Sequence, residues 1–142
     1  EESRAIGNGA MNFVKKANLD LDNTFFLNYE SISDNVLSCV LEENDNMGSK
    51  HPYDAEGRAF LMDFLEKTKS DITISKIPIS SDCSTLQGLG CRIITMFVSF
   101  SNEGMPTHYH MMSDTLDNVN WETLDKCYHT SIDLIQRFDK EV

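Results

Sequence analysis

The segment Cys91–Phe100 constrains this chain most. It reads CRIITMFVSF, and Ile93, Ile94, Met96, Phe97, Val98 and Phe100 leave it almost no polar face. A strand with one wet face alternates. A nearly continuous apolar run of this length suits a central strand buried on both sides. Such a strand needs neighbours along its edges and a packed layer on each face, and the rest of the chain must supply them.

The flanking segments alternate between two periods. From Ser3 to Ala17 the apolar positions Ile6, Ala10, Phe13 and Val14 recur at helical spacing, with Lys15 and Lys16 in the last turn, where cations suit the helix dipole. Phe25 to Tyr29 is a short apolar run of strand type, and Val36 to Leu41 is a second. The stretch Glu42–Pro52, rich in Asn, Asp, Gly and Ser, predicts a loop. A helix is expected over Tyr53–Lys69, with Ala55, Ala59, Phe60, Met62, Phe64 and Leu65 as its apolar positions. Asp71–Ile77 alternates as a strand, with Ile72 and Ile74 on the apolar side and Ile77 as a further candidate. Ser80-Ser81-Asp82 opens a short turn or helix reaching Leu89, and Ser101–Ser113 is a long loop. Asn120–Phe138 closes the chain as a helix carrying Trp121, Leu124, Cys127, Tyr128, Ile132, Leu134, Ile135 and Phe138.

Helices and strands interleaved as α-β-β-α-β-β-α predict the α/β class, a three-layer α/β/α sandwich around a mainly parallel or mixed sheet. Sites in such folds gather on loops at the carboxyl ends of strands. Three segments satisfy that rule: Asn28–Ser31, Ser80–Cys83 and Thr107–Asp114.

Composition excludes several classes. The 142 residues fit one domain, and 40% hydrophobic residues suffice for a core. A net charge of −11 repels phosphate backbones and anionic bilayers, so no nucleic-acid or membrane partner is expected. No apolar run approaches the roughly 20 residues of a membrane helix. The four cysteines, Cys39, Cys83, Cys91 and Cys127, contain no C-x-x-C pair. A zinc knuckle is therefore not indicated, and buried free thiols are expected, which favours a reducing compartment. The opening Glu1-Glu2-Ser3-Arg4 lacks the basic-then-apolar pattern of a signal peptide. It runs straight into a helical pattern with no initiator Met, and predicts that an N-terminal part of the parent protein is absent from this chain.

Each residue with chemistry to offer also has an ordinary reading. Glu1 and Glu2 would be favourable dipole partners at a helix N-terminus. Glu30 would cap the turn after its strand. Asp82 reads as a helix N-cap. His108 and His110 form an H-x-H pair, weak evidence of a metal when alone, and Ser113 and Asp114 read as turn and cap residues.

Their order along the chain is more specific. An acidic pair, Glu1-Glu2, opens a helix and is followed by Gly7-Asn8. A strand ends in Asn28-Tyr29-Glu30. Ser81-Asp82-Cys83 leads to Gly90-Cys91-Arg92, and His110-Met111-Met112-Ser113-Asp114-Thr115 precedes the last helix. This succession resembles the second half of the di-zinc aminopeptidases, the clan that also holds glutamate carboxypeptidases and glutaminyl cyclases. The resemblance spans nearly all of the chain, and its most specific part is the His110–Asp117 segment.

The resemblance implies a C-terminal portion of a zinc exopeptidase catalytic domain over 1–142, with the N-terminal strands of the family fold absent. It implies Glu1 as general base, Glu2 and His110 as ligands of one zinc, and Glu30 as a ligand of the other, where the family usually has Asp. Asp82, Cys83, Tyr109 and Asp114 would support the ligands or line the pocket. The implied activity is hydrolysis of the N-terminal residue of a peptide substrate, with two zinc ions as cofactor. Cys83 stands where the family has His, and Arg92 where it has Pro. The family's early His-x-Asp and bridging Asp would lie upstream, so this chain alone is expected to be inactive. A missing half would also leave a sheet edge open to self-association or to pairing with the N-terminal portion. A non-catalytic α/β module used for binding or assembly is the alternative.

Overall fold

The apolar run does become a central strand. The computed structural model describes residues 8–44, 49–77 and 81–141. In chain order these form α1 (Asn8–Ala17), β1 (Phe25–Glu30), β2 (Val36–Asn44), β3 (Lys50–Pro52), α2 (Ala55–Thr68), β4 (Thr73–Ile77), α3 (Asp82–Gly88), β5 (Ile93–Phe100), a 3₁₀ turn (Leu116–Asn118) and α4 (Trp121–Glu141). The opening of the expected first helix, including Ile6, lies outside the described residues.

Strand β5 sits between β1, parallel to it from Phe25↔Ile93 to Glu30↔Val98, and β2, antiparallel from Val36↔Phe100 to Val40↔Met96. The other edge of β2 takes β4 in parallel, with a bulge between Val40 and Glu42. The end of β2 pairs antiparallel with β3, Glu43 opposite His51. The result is a five-stranded mixed sheet.

Because β5 alternates between two faces, it feeds two cores. Ile94, Met96 and Val98 join Val40, Val14 of α1 and Cys83 and Leu86 of α3 on one side. Phe97 joins Leu37, Cys39, Leu61 and Phe64 of α2 and Cys127 and Leu134 of α4 on the other. Helices thus cover both faces of a mixed sheet, giving the three-layer α/β/α arrangement.

Local chemistry sets the helix ends. Asp54 accepts the Glu56 N–H at 2.9 Å as the N-cap of α2, and Lys69, in the left-handed region at φ 51°, closes it. Ser81 caps α3 by accepting the Cys83 N–H at 3.1 Å, so Asp82 is in the first turn and is not the cap expected of it. Asn120 accepts the Thr123 N–H at 3.0 Å ahead of α4.

Several expectations need correction. The stretch expected as a loop over Glu42–Pro52 contains the end of β2, Glu42 to Asn44, and all of β3, which pair with each other, and Glu43 within it is fully buried. Tyr53 precedes α2 rather than starting it, and is buried. Phe13, Met62 and Ile74, read as apolar-face positions, are exposed at 59%, 42% and 48%. On α4 the inward residues are Thr123, Cys127, Ser131 and Leu134, while Trp121, Tyr128, Ile132 and Ile135 form an exposed apolar stripe. The four cysteines are buried and unpaired, as their spacing predicts.

Candidate active site

The candidate site lies where β1 and the loop after β5 end. Glu30 is the last residue of β1, half-buried, and Ser31 Oγ donates to its Oε1 at 3.3 Å. The chain then breaks direction at Ser31, whose φ of 52° is left-handed. His110 is the other such corner, at φ 56°. It sits in a turn closed by the Met111 N–H donating to the His108 carbonyl at 3.0 Å, and its third position needs the positive φ that His110 adopts. Left-handed residues other than glycine are uncommon and cost energy, so they merit attention where no helix cap explains them. Lys69 closes α2 and Asn18 directly follows α1, whereas Ser31 and His110 have no such role.

The segments that hold these two corners line one cavity, although neither Glu30 nor His110 is among its lining residues. Ser31, Ile32 and Ser33 from the turn after Glu30 line it with His108, Tyr109 and Asp114 from the loop that carries His110, and it measures about 200 Å³. His108 Nδ1 lies 2.9 Å from Ser113 Oγ, and the Asp114 N–H donates to the Met111 carbonyl at 3.0 Å. The Tyr109 and His110 rings lie 4.0 Å apart between centroids, tilted by 57°. His110, Tyr109 and Asp114 are all exposed.

The remaining sequence-derived candidates fall elsewhere. Glu1 and Glu2 lie outside the described residues. Asp82 is exposed at the start of α3. Cys83 is fully buried beneath it, and burial first, then the charge of Glu43, pushes its thiol up to about 12.

Sequence reading missed the cluster around that thiol. Glu43 is fully buried and accepts from the hydroxyls of Tyr53, Ser81 and Ser84, and from the Ser81 N–H at 2.9 Å. Burial, followed by the neighbouring Cys83 and Glu43, drives the Tyr53 hydroxyl far above the usual phenol range. The cap of α3 is thereby tied to the end of β2. It also missed Asp34, Ser99 and Thr107, which join the turn after Glu30 to the His110 loop. No local pattern signals either group, since the partners are separated by 38 residues for Glu43–Ser81 and 73 for Asp34–Thr107.

The sequence model of peptidase family M28 matches residues 1–140. The chain belongs to that family, the di-zinc aminopeptidases. No curated protein and no solved structure matches the chain.

Family M28 typically binds zinc, and a peptidase family implies peptide substrates. The described residues can be tested against that metal. Glu30 and His110 offer carboxylate oxygen and imidazole nitrogen, both of which zinc accepts. Among the described residues, no three His, Cys, Asp or Glu side chains gather as a metal-holding group. The donor types of this M28 chain fit zinc, but the described donors by themselves do not complete a site.

Proposed function

We propose that this chain is the C-terminal portion of the catalytic domain of a zinc-dependent exopeptidase, an aminopeptidase that removes N-terminal residues from peptides. The observation that carries the reading is the shared cavity. It brings the turn after Glu30 together with the His110 loop, at the strand ends where α/β folds build their sites.

In this reading Glu30 holds one zinc, and Glu2 with His110 holds the other. One described donor then falls to each ion, in keeping with the lack of a three-donor group among the described residues. Further ligands would have to come from residues outside this chain, and the chain alone would be inactive. Bound zinc would supply Lewis acidity for the scissile carbonyl and lower the pKa of water. Glu1 would take the proton from the attacking water and deliver it to the leaving amine. Tyr109 and Asp114 would form the pocket wall beside His110. Asp82 and Cys83 would support the site from α3.

The test is zinc content and hydrolysis of aminoacyl-p-nitroanilides by the full-length protein. Glu1→Gln is expected to lower kcat by a factor of at least about 100, the scale of general acid–base catalysis, with zinc retained. A full-length protein that holds no zinc and is indifferent to Glu1→Gln would sink the catalytic reading. A second reading, a non-catalytic α/β module of the same fold used for binding or assembly, is favoured by the net charge of −11. Stoichiometric zinc uptake would count against that reading.

A further inference from the structure

The turn after Glu30 is fastened from three directions. Ser99 Oγ, fully buried on β5, accepts the N–H groups of Ser33 and Asp34, each at 2.8 Å, and donates to the Ser31 carbonyl at 2.6 Å. From the start of α4, the Asn120 N–H donates to the Ser33 carbonyl at 2.9 Å, and Thr123 Oγ1 donates to the Asn35 carbonyl at 3.2 Å. The third fastening is Asp34. It is 7% exposed, and both of its oxygens are taken by one residue: the Thr107 N–H donates to Oδ2 at 2.8 Å, and Thr107 Oγ1 donates to Oδ1 at 2.5 Å.

Thr107 opens the segment that turns through His110. A left-handed histidine persists only where its surroundings hold it. The chain entering that turn is held by a nearly buried carboxylate, and hydrogen bonds to a charged acceptor are the strong kind. Asp34 belongs to the turn that follows Glu30, so it joins that turn to the loop carrying His110, and residues of both segments line the shared cavity. An unused carboxylate would have been cheaper to leave in solvent, because burying a polar group is costly unless it is fully hydrogen-bonded.

We propose that Asp34 is a positioning residue: by clipping Thr107 to the turn after Glu30, it sets the His110 loop against the end of β1. The inference deepens the zinc-peptidase reading and rests on it.

The test compares wild type with Asp34→Ala, Asp34→Asn and Thr107→Val. In metal-free protein, amide hydrogen exchange is followed at Thr107 and Met111, with Leu134 of α4 as internal reference. Asp34→Ala is expected to speed exchange at Thr107 and Met111 at least about 10-fold while leaving Leu134 unchanged. Asp34→Asn, whose oxygen can accept the Thr107 N–H while its amide donates to Thr107 Oγ1, is expected to stay near wild type, whereas Thr107→Val loses the hydroxyl bond and leaves Asp34 Oδ1 without its donor. In the full-length protein the zinc dissociation constant is expected to rise about 10- to 100-fold for Asp34→Ala, the usual scale for a residue that orients a ligand, and to be restored in Asp34→Asn. Unchanged exchange at Thr107 and Met111, or exchange that rises equally at Leu134, would overturn the clip. If Asp34→Ala does not fold, Thr107→Val carries the test, with faster Met111 exchange supporting the clip and unchanged exchange overturning it. A wild-type protein that takes up no zinc overturns the peptidase reading instead, and the metal-free exchange separates the two failures.

Discussion

At the scale of single residues, the side chain with most at stake is Glu43. A carboxylate is acceptor-only, and each group around this one is a donor: three hydroxyls and one N–H. Ser81 completes the logic, since its oxygen caps α3 by accepting the Cys83 N–H while its proton goes to Glu43. Removing the carboxylate would strand buried hydroxyls. Glu43→Ala is therefore expected to lower stability by about 3 kcal/mol, from unsatisfied donors at about 1–3 kcal/mol each, read as a shift of the urea midpoint. A loss below about 1 kcal/mol would mean that water replaces the carboxylate. Sequence alone could not place Glu43. It reads as one of several polar residues in Glu42-Glu43-Asn44-Asp45, and its partners arrive from distant segments. The strand end at Glu30 and the loop that carries His110 were easier to locate, because strand ends and loops before a closing helix leave marks in local pattern, whereas the roles of the two residues rest on the family resemblance.

At the scale of elements, α2 and α4 show how far periodicity reaches. The pattern found both helices but misjudged which apolar residues they bury. On α2 the buried positions include Gly57, which the pattern ignores. A Cβ there would lie 2.9 Å from the Ile94 nitrogen and 3.0 Å from the Arg92 carbonyl oxygen, both backbone atoms of the β5 approach. Glycine is what lets this helix meet that strand so closely. Gly57→Ala is expected to cost about 2 kcal/mol despite its better helix propensity, because an overpacked backbone contact costs about 1–3 kcal/mol. Thermal melting of the variant checks this, and an unchanged or raised Tm would contradict it. On α4, Cys127 and Leu134 face the sheet, but Thr123 and Ser131 are buried with them, while Tyr128 and Ile135 are outside. The buried hydroxyls explain the shift: Ser131 donates to the Cys127 carbonyl at 2.7 Å and Thr123 to Asn35, so polar side chains enter the interior satisfied. A reading based on hydrophobicity places them outside.

At the scale of the whole molecule, two cores share one sheet, and both contain thiols. Burial raises Cys39 to about 11 and Cys83 to about 12, from 9.0. The unfolded chain would lose these protons near its ordinary thiol pKa, while the folded chain keeps them. Between pH 9 and 12 the folded state therefore binds more protons, and stability falls as pH rises. The urea midpoint is expected to be lower at pH 11 than at pH 8. Cys83→Ala, whatever its own cost, is expected to show a smaller drop between the two pH values. An equal drop in variant and wild type would remove Cys83 from the account.

The sequence by itself determined the central strand, the α/β class, the approximate element order and the family. All of these rest on local signals: an apolar run with no polar face, periods of two and 3.6, and an order of motifs. Its expectation for the N-terminal acidic pair concerns residues that the structure does not describe. Only the tertiary structure decided that the turn after Glu30 and the His110 loop line one cavity, that Asp34 ties them together, and that Glu43 is a core residue. The physical reason is the same in each case. A hydrogen bond between residues dozens of positions apart depends on where the sheet brings them, and neither partner carries a local mark of the other.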